Sequence, residues 1–119
     1  MSDETRAPGT TTIAPEALAT IARLAALRVE GVRFMSPWPV SFKRLLHRRY
    51  YSDGVMIEVN DTTVDVELHV VLERDVNIRE VSRNIQREVG RAISEMVGME
   101  AGQIDIHIED IDYSSKVRL

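Results

Sequence analysis

Two histidines sit among carboxylates at strand spacing: His69 follows Asp65 and Glu67, and His107 lies between Asp105 and Glu109. At period two these side chains share a face, and imidazoles beside carboxylates are what a metal site or an acid–base pair requires. That chemistry needs the two segments to be neighbours, which spacing alone does not establish. No pocket-forming motif accompanies them, so the expected state is a solvated sheet face without metal or catalysis. The serines lack a nucleophile elbow, and no glycine-rich phosphate loop is present.

The segment from Trp38 to Tyr51 offers a different chemistry. It holds four of the six aromatic residues of the chain (Trp38, Phe42, Tyr50 and Tyr51), interleaved with His47 and the bases Lys43, Arg44, Arg48 and Arg49. Aromatic and basic side chains together suit an anionic membrane surface, where each base adds about 1 kcal/mol. They also suit a docking partner, or single-stranded nucleic acid through stacking and phosphate contact. The plain alternative is an ordered connection whose aromatics pack on the core and whose bases neutralise acids nearby.

A third pattern is Arg79, Arg83, Arg87 and Arg91, four positions apart over three turns of a helix. Such a ridge repels itself by about 0.2–0.5 kcal/mol per pair. Glu80, Glu88 and Glu95 lie close enough to relieve much of that. The ridge reads first as a solvated face and second as a surface for an acidic neighbour, including another copy of the chain.

Positioning these groups falls to a short chain. Its 119 residues suit one domain with a single core, which we place at 10–113 between a tail at 1–9 and another at 114–119. The net charge of −4 argues against a globally basic nucleic-acid binder, and 44% hydrophobic residues argues against disorder. With no cysteine there is no disulfide framework, no thiolate metal site and no thiol nucleophile. No apolar run approaches the roughly 18 residues of a membrane span, and the first residues lack a secretory apolar core. A soluble intracellular protein is expected. Charge is unevenly spread: residues 53–75 carry seven acids against Arg74 alone, directly after the basic segment.

Thr10 to Ile13 is β-branched and reads as a short strand. Pro15 suits the first turn of a helix, and Leu18, Ile21, Ala22, Ala25 and Val29 form an apolar stripe that Leu24 and Leu27 widen. Gly31 is placed to stop it. Val32–Met35 alternates briefly. Val55, Ile57 and Val59, then Val64, Val66, Leu68, Val70 and Leu72, alternate around Asn60-Asp61 and predict a hairpin. Asn77 and Glu80 open a second helix with Ile78, Val81, Ile85, Ala92 and Met96 inward, helped by Val89, Ile93 and Val97. Gly98 ends it, and Ile104, Ile106 and Ile108 mark a last strand. These elements predict an α+β fold, a two-layer sandwich of a mainly antiparallel sheet with two helices on one face. The other face would display Glu58, Asp65, Glu67, His69, Asp105, His107 and Glu109.

The order of these pieces resembles a known family. Gly9-Thr-Thr-Thr-Ile13-Ala14-Pro15-Glu16-Ala-Leu18-Ala19-Thr-Ile21-Ala22, then Ala25-Ala26 and Val29-Glu30-Gly31-Val32, resembles the opening of the alkaline shock protein family of bacterial envelope-stress proteins. Gly54-Val55, Leu68-His-Val70-Val71-Leu72, Val76-Asn77-Ile78-Arg-Glu80-Val81, Met96-Val97-Gly98 and Ile104-Asp-Ile106-His-Ile108 follow in the family's order, covering residues 9–112. The chain departs from the family at Arg74-Asp75, where a glycine often ends the strand, and at 36–52, which is richer in aromatics and bases. The resemblance implies a small non-enzymatic cytoplasmic protein without cofactors, held near the inner face of the membrane by a membrane-anchored protein partner and prone to self-association. From the concentration of aromatics and bases, the expected partner- or membrane-facing residues are Trp38, Phe42, Lys43, Arg44, Arg48, Arg49, Tyr50 and Tyr51. Arg79, Arg83, Arg87 and Arg91 are the expected self-association ridge. The alternative is a small nucleic-acid-binding module using loop 38–51 and the same ridge.

Overall fold

A computed structural model describes residues 9–37 and 50–114 of the chain. The order is α1 (Pro15–Leu27), β1 (Val32–Met35), β2 (Tyr50–Ser52), β3 (Val55–Asn60), β4 (Thr63–Glu73), α2 (Ile78–Ala92) and β5 (Glu100–Asp112). A single π-helical turn, Ile93–Val97, extends α2 before Gly98 closes it in the left-handed conformation. The expected α+β sandwich is present, with both helices packed over one sheet face.

β4 is the axis of the sheet. One edge of it pairs with β5 from Thr63 to Glu73. The other edge is shared end to end, by β3 opposite Thr63–Leu68 and by β1 opposite Val70–Leu72, both antiparallel. β2 then extends the sheet beyond β3. The β4–β5 pairing is parallel, the exception in a mainly antiparallel sheet. Its cause is the intervening helix: α2 carries the chain back along the sheet, so β5 must start from the same end as β4.

The core lies between sheet and helices. Leu18, Val55, Ile57, Val64, Val66, Leu68, Val70, Leu72, Ile85, Val89 and Ile93 are sealed from solvent. Ile104, Ile106 and Ile108 pack against this cluster from the edge strand and remain partly exposed. Asn77 caps α2 as its position suggests, its Oδ1 accepting from the Glu80 amide at 3.0 Å.

Several expectations need correction. Residues 10–13 form no strand and are exposed. In α1 the small residues Ala19, Ala22, Ala25 and Ala26 face inward, while Leu24 is 50% exposed and Leu27 38%. The reason is spacing between layers: a methyl-lined face lets α1 approach closely, and the leucines do not fit there. Gly31 belongs to the same close approach, since a Cβ on it would lie 2.9 Å from Val81 Cγ2 of α2. In α2, Val81, Ile85, Val89 and Ile93 form the buried row, and Ile78 and Met96 at its two ends lie outside it and face solvent. Finally, Tyr50 and Tyr51 are not loop residues: they form β2, opposite Ile57 and Met56.

Candidate functional site

The β4–β5 register brings the two histidines together. Glu67 and His69 alternate with the core residues Val66, Leu68 and Val70, which turns them to the sheet face away from the helices. Parallel pairing sets His69 against His107 and Glu67 against Asp105. The imidazole rings stack with centroids 4.6 Å apart and planes 12° from parallel. His69 Nδ1 lies 2.5 Å from Glu109 Oε2, and its Nε2 lies 3.3 Å from Glu67 Oε2. His107 Nε2 meets the same Glu67 oxygen at 2.9 Å. His69 is largely shielded, with 13% of its side chain exposed, whereas His107 keeps 49%. What the sequence left conditional is thus a contact cluster.

The other acids on this face differ in their engagement. Asp65 Oδ1 accepts from the Gln103 amide at 2.8 Å and its Oδ2 accepts from Asn60 Nδ2 at 3.1 Å, which ties the hairpin to the start of β5. Asp105 and Glu109 are exposed, and Glu58 is half-buried. At the far end of β5, Asp112 accepts from Arg33 Nε at 3.1 Å. Its carboxyl is held below the ordinary range, first by the Ser114 hydroxyl and then by Arg33. Met56 and Val71, apolar residues at the outward positions, are buried, so they are not an open apolar patch for a second copy.

The arginine ridge exists as spaced. Arg79, Arg83, Arg87 and Arg91 are all exposed on α2. Arg87 donates to Asn84 Oδ1 at 2.8 Å and lies 3.8 Å from Glu88. Arg91 meets Glu88 at 3.8 Å and Glu95 at 3.5 Å. Among the described residues Arg79 and Arg83 have no acidic partner, so the basic character concentrates on the first half of the helix.

Of the aromatic and basic segment, Trp38, Phe42, Lys43, Arg44, Arg48 and Arg49 lie outside the described residues. Tyr50 and Tyr51 are half-buried in β2, and Tyr50 packs against the core. The signal that finds β2 from sequence is Asp53-Gly54, with φ of 45° and 81°, a two-residue hairpin turn between β2 and β3.

Comparison with known proteins follows the same outline. A family model for the alkaline shock protein 23 family, described as having cell envelope-related function, matches residues 3–113. The uncharacterized protein Spy1614 of Streptococcus pyogenes is 26% identical over 102 residues, covering 83% of this chain and 84% of its own length. The uncharacterized protein YqhY of Bacillus subtilis is 25% identical over 111 residues, 92% of this chain and 82% of that protein. A second streptococcal protein, Spy1535, is 28% identical over 104 residues, 87% and 79% of the two chains. No solved structure matches at a significant level.

Proposed function

Since the chain belongs to the alkaline shock protein 23 family, whose function is cell envelope-related, we propose that it is a non-catalytic envelope-stress or envelope-maintenance protein. It works by binding a membrane-anchored protein and by self-association near the inner face of the membrane. No helix among the described residues is long and apolar enough to cross a membrane. Attachment in this reading runs through the partner, or through an anionic lipid surface.

The observation that carries self-association is the separation of charge across the sandwich. Exposed arginines line α2 on the helical layer, and Asp105 and Glu109 stand exposed on the opposite sheet face. A second copy can present its acids to the Arg79–Arg83 half of the ridge, a head-to-tail contact that closes a ring or extends a filament. Exposed ion pairs contribute about 0–1 kcal/mol each, so such a contact is weak and salt-sensitive. Nothing observed favours the nucleic-acid alternative.

Sedimentation velocity tests the reading. Wild type is expected to form concentration-dependent oligomers at low salt that dissociate as salt rises, and Arg83→Glu/Arg87→Glu is expected to stay monomeric. A wild-type monomer under every condition, or oligomers indifferent to the charge reversal, contradicts it.

A further inference from the structure

Both ring nitrogens of His69 face carboxylate oxygens, Nδ1 towards Glu109 and Nε2 towards Glu67. An ionised carboxylate only accepts, and a neutral imidazole carries a single N–H. If Glu109 takes the proton of Nδ1, the Nε2 lone pair points at an anionic oxygen 3.3 Å away. That arrangement needs positive charge between the two atoms. The stacked His107 ring turns its own Nε2 to the same Glu67 oxygen, so three potential donor atoms crowd one point.

A metal ion supplies that charge and uses every group. We propose that Glu67, His69 and His107 bind one divalent transition-metal ion of the zinc type, with Glu109 as the outer partner that aims His69. Donors around tetrahedral zinc, each about 2.0–2.1 Å from the ion, stand roughly 3.3 Å from one another. The Glu67 oxygen already lies 3.3 Å and 2.9 Å from the two imidazole nitrogens. All three donor atoms fall within 4.8 Å of each other, and the stacked rings would turn to aim both nitrogens at one ion.

The donor set selects the class of ion. Two imidazoles and one carboxylate suit zinc, copper or nickel, whereas calcium and magnesium prefer oxygen alone. Metal-bound histidines usually donate their other N–H to a carboxylate, the relation Glu109 has to His69. The backbone beneath is fixed as well. The His69 carbonyl accepts from the Ser36 amide and its N–H donates to the Gly54 carbonyl, both at 2.8 Å. The half-exposed His107 leaves a side open for water as fourth ligand. A bound ion would also clip the edge strand β5 to β4.

Isothermal titration of the full chain with zinc chloride tests the assignment. One ion per chain is expected, together with a rise in melting temperature on loading. His107→Ala is expected to weaken binding by well over tenfold. Glu109→Gln is expected to weaken it by about 10–100-fold, the usual effect of losing an outer partner. Both side chains are substantially exposed, so each variant is expected to stay folded without metal. Failure of the wild type to take up zinc would overturn the site, and an imidazolium at His69 seen by NMR would then identify a proton in its place. Uptake that survives both His69→Ala and His107→Ala would overturn it equally.

Discussion

The carbonyl oxygen of Ser36 stands 2.5 Å from where a Cβ on Gly54 would lie. This is the point where β1 ends and β3 begins along the shared edge of β4, and the His69 peptide bridges the two through hydrogen bonds to Ser36 and Gly54. Gly54 also has φ of +81°, a conformation that L side chains rarely adopt.

Gly54→Ala is therefore expected to destabilise the protein. The backbone conformation alone contributes about 1–3 kcal/mol, and the Ser36 carbonyl, being main chain, has little room to move. Denaturant unfolding measures the loss. Asp53→Asn, at φ of 45° in the same turn, is the tolerant comparison, because asparagine also accepts left-handed backbone.

This turn also marks what the sequence made legible. The β3–β4 hairpin is written in alternation from Val64 to Val70 because one face of β4 is sealed and the other only half-buried, while Met56 and Val71 break the pattern and are buried as well. Asp53-Gly54 is as strong a turn signal, but the aromatic and basic residues before it draw Tyr50 and Tyr51 into a loop reading. Helix positions follow from periodicity and caps, whereas which face is buried depends on layer spacing, and the alanines of α1 outcompete Leu24 and Leu27. The histidine cluster is legible in its parts alone. His69 and His107 are 38 residues apart, and only the crossover through α2 decides that their strands are neighbours.

The same contrast gives a stability test. Leu68 lies at 0% exposure in the centre of β4, between Val55 of β3 and Ile106 of β5. Leu68→Ala is expected to cost about 2–5 kcal/mol, through lost burial and the cavity left behind. Leu24→Ala, on the exposed side of α1, should stay within about 0.5 kcal/mol of wild type. Equal effects in chemical denaturation would contradict the assignment of the α1 faces.

The proposed contact of the aromatic and basic segment with an anionic surface has its own test. Trp38, Phe42, Lys43, Arg44, Arg48 and Arg49 precede a strand that is partly buried, so Tyr50 and Tyr51 are committed in part to the sheet. Attraction to lipid would then fall mainly on the bases and on Trp38 and Phe42. Each base near an anionic surface contributes about 1 kcal/mol, so Arg44→Ser/Arg48→Ser/Arg49→Ser should weaken partitioning onto anionic vesicles by roughly 100-fold. A lipid-facing role predicts little change in melting temperature. Arg83→Glu/Arg87→Glu is the companion variant, expected to lose self-association while its monomer keeps the vesicle contact. Co-sedimentation with anionic against neutral vesicles reads both. Undiminished binding by the triple variant contradicts a lipid-facing role, and unfolding of that variant would show instead that the arginines hold the domain together.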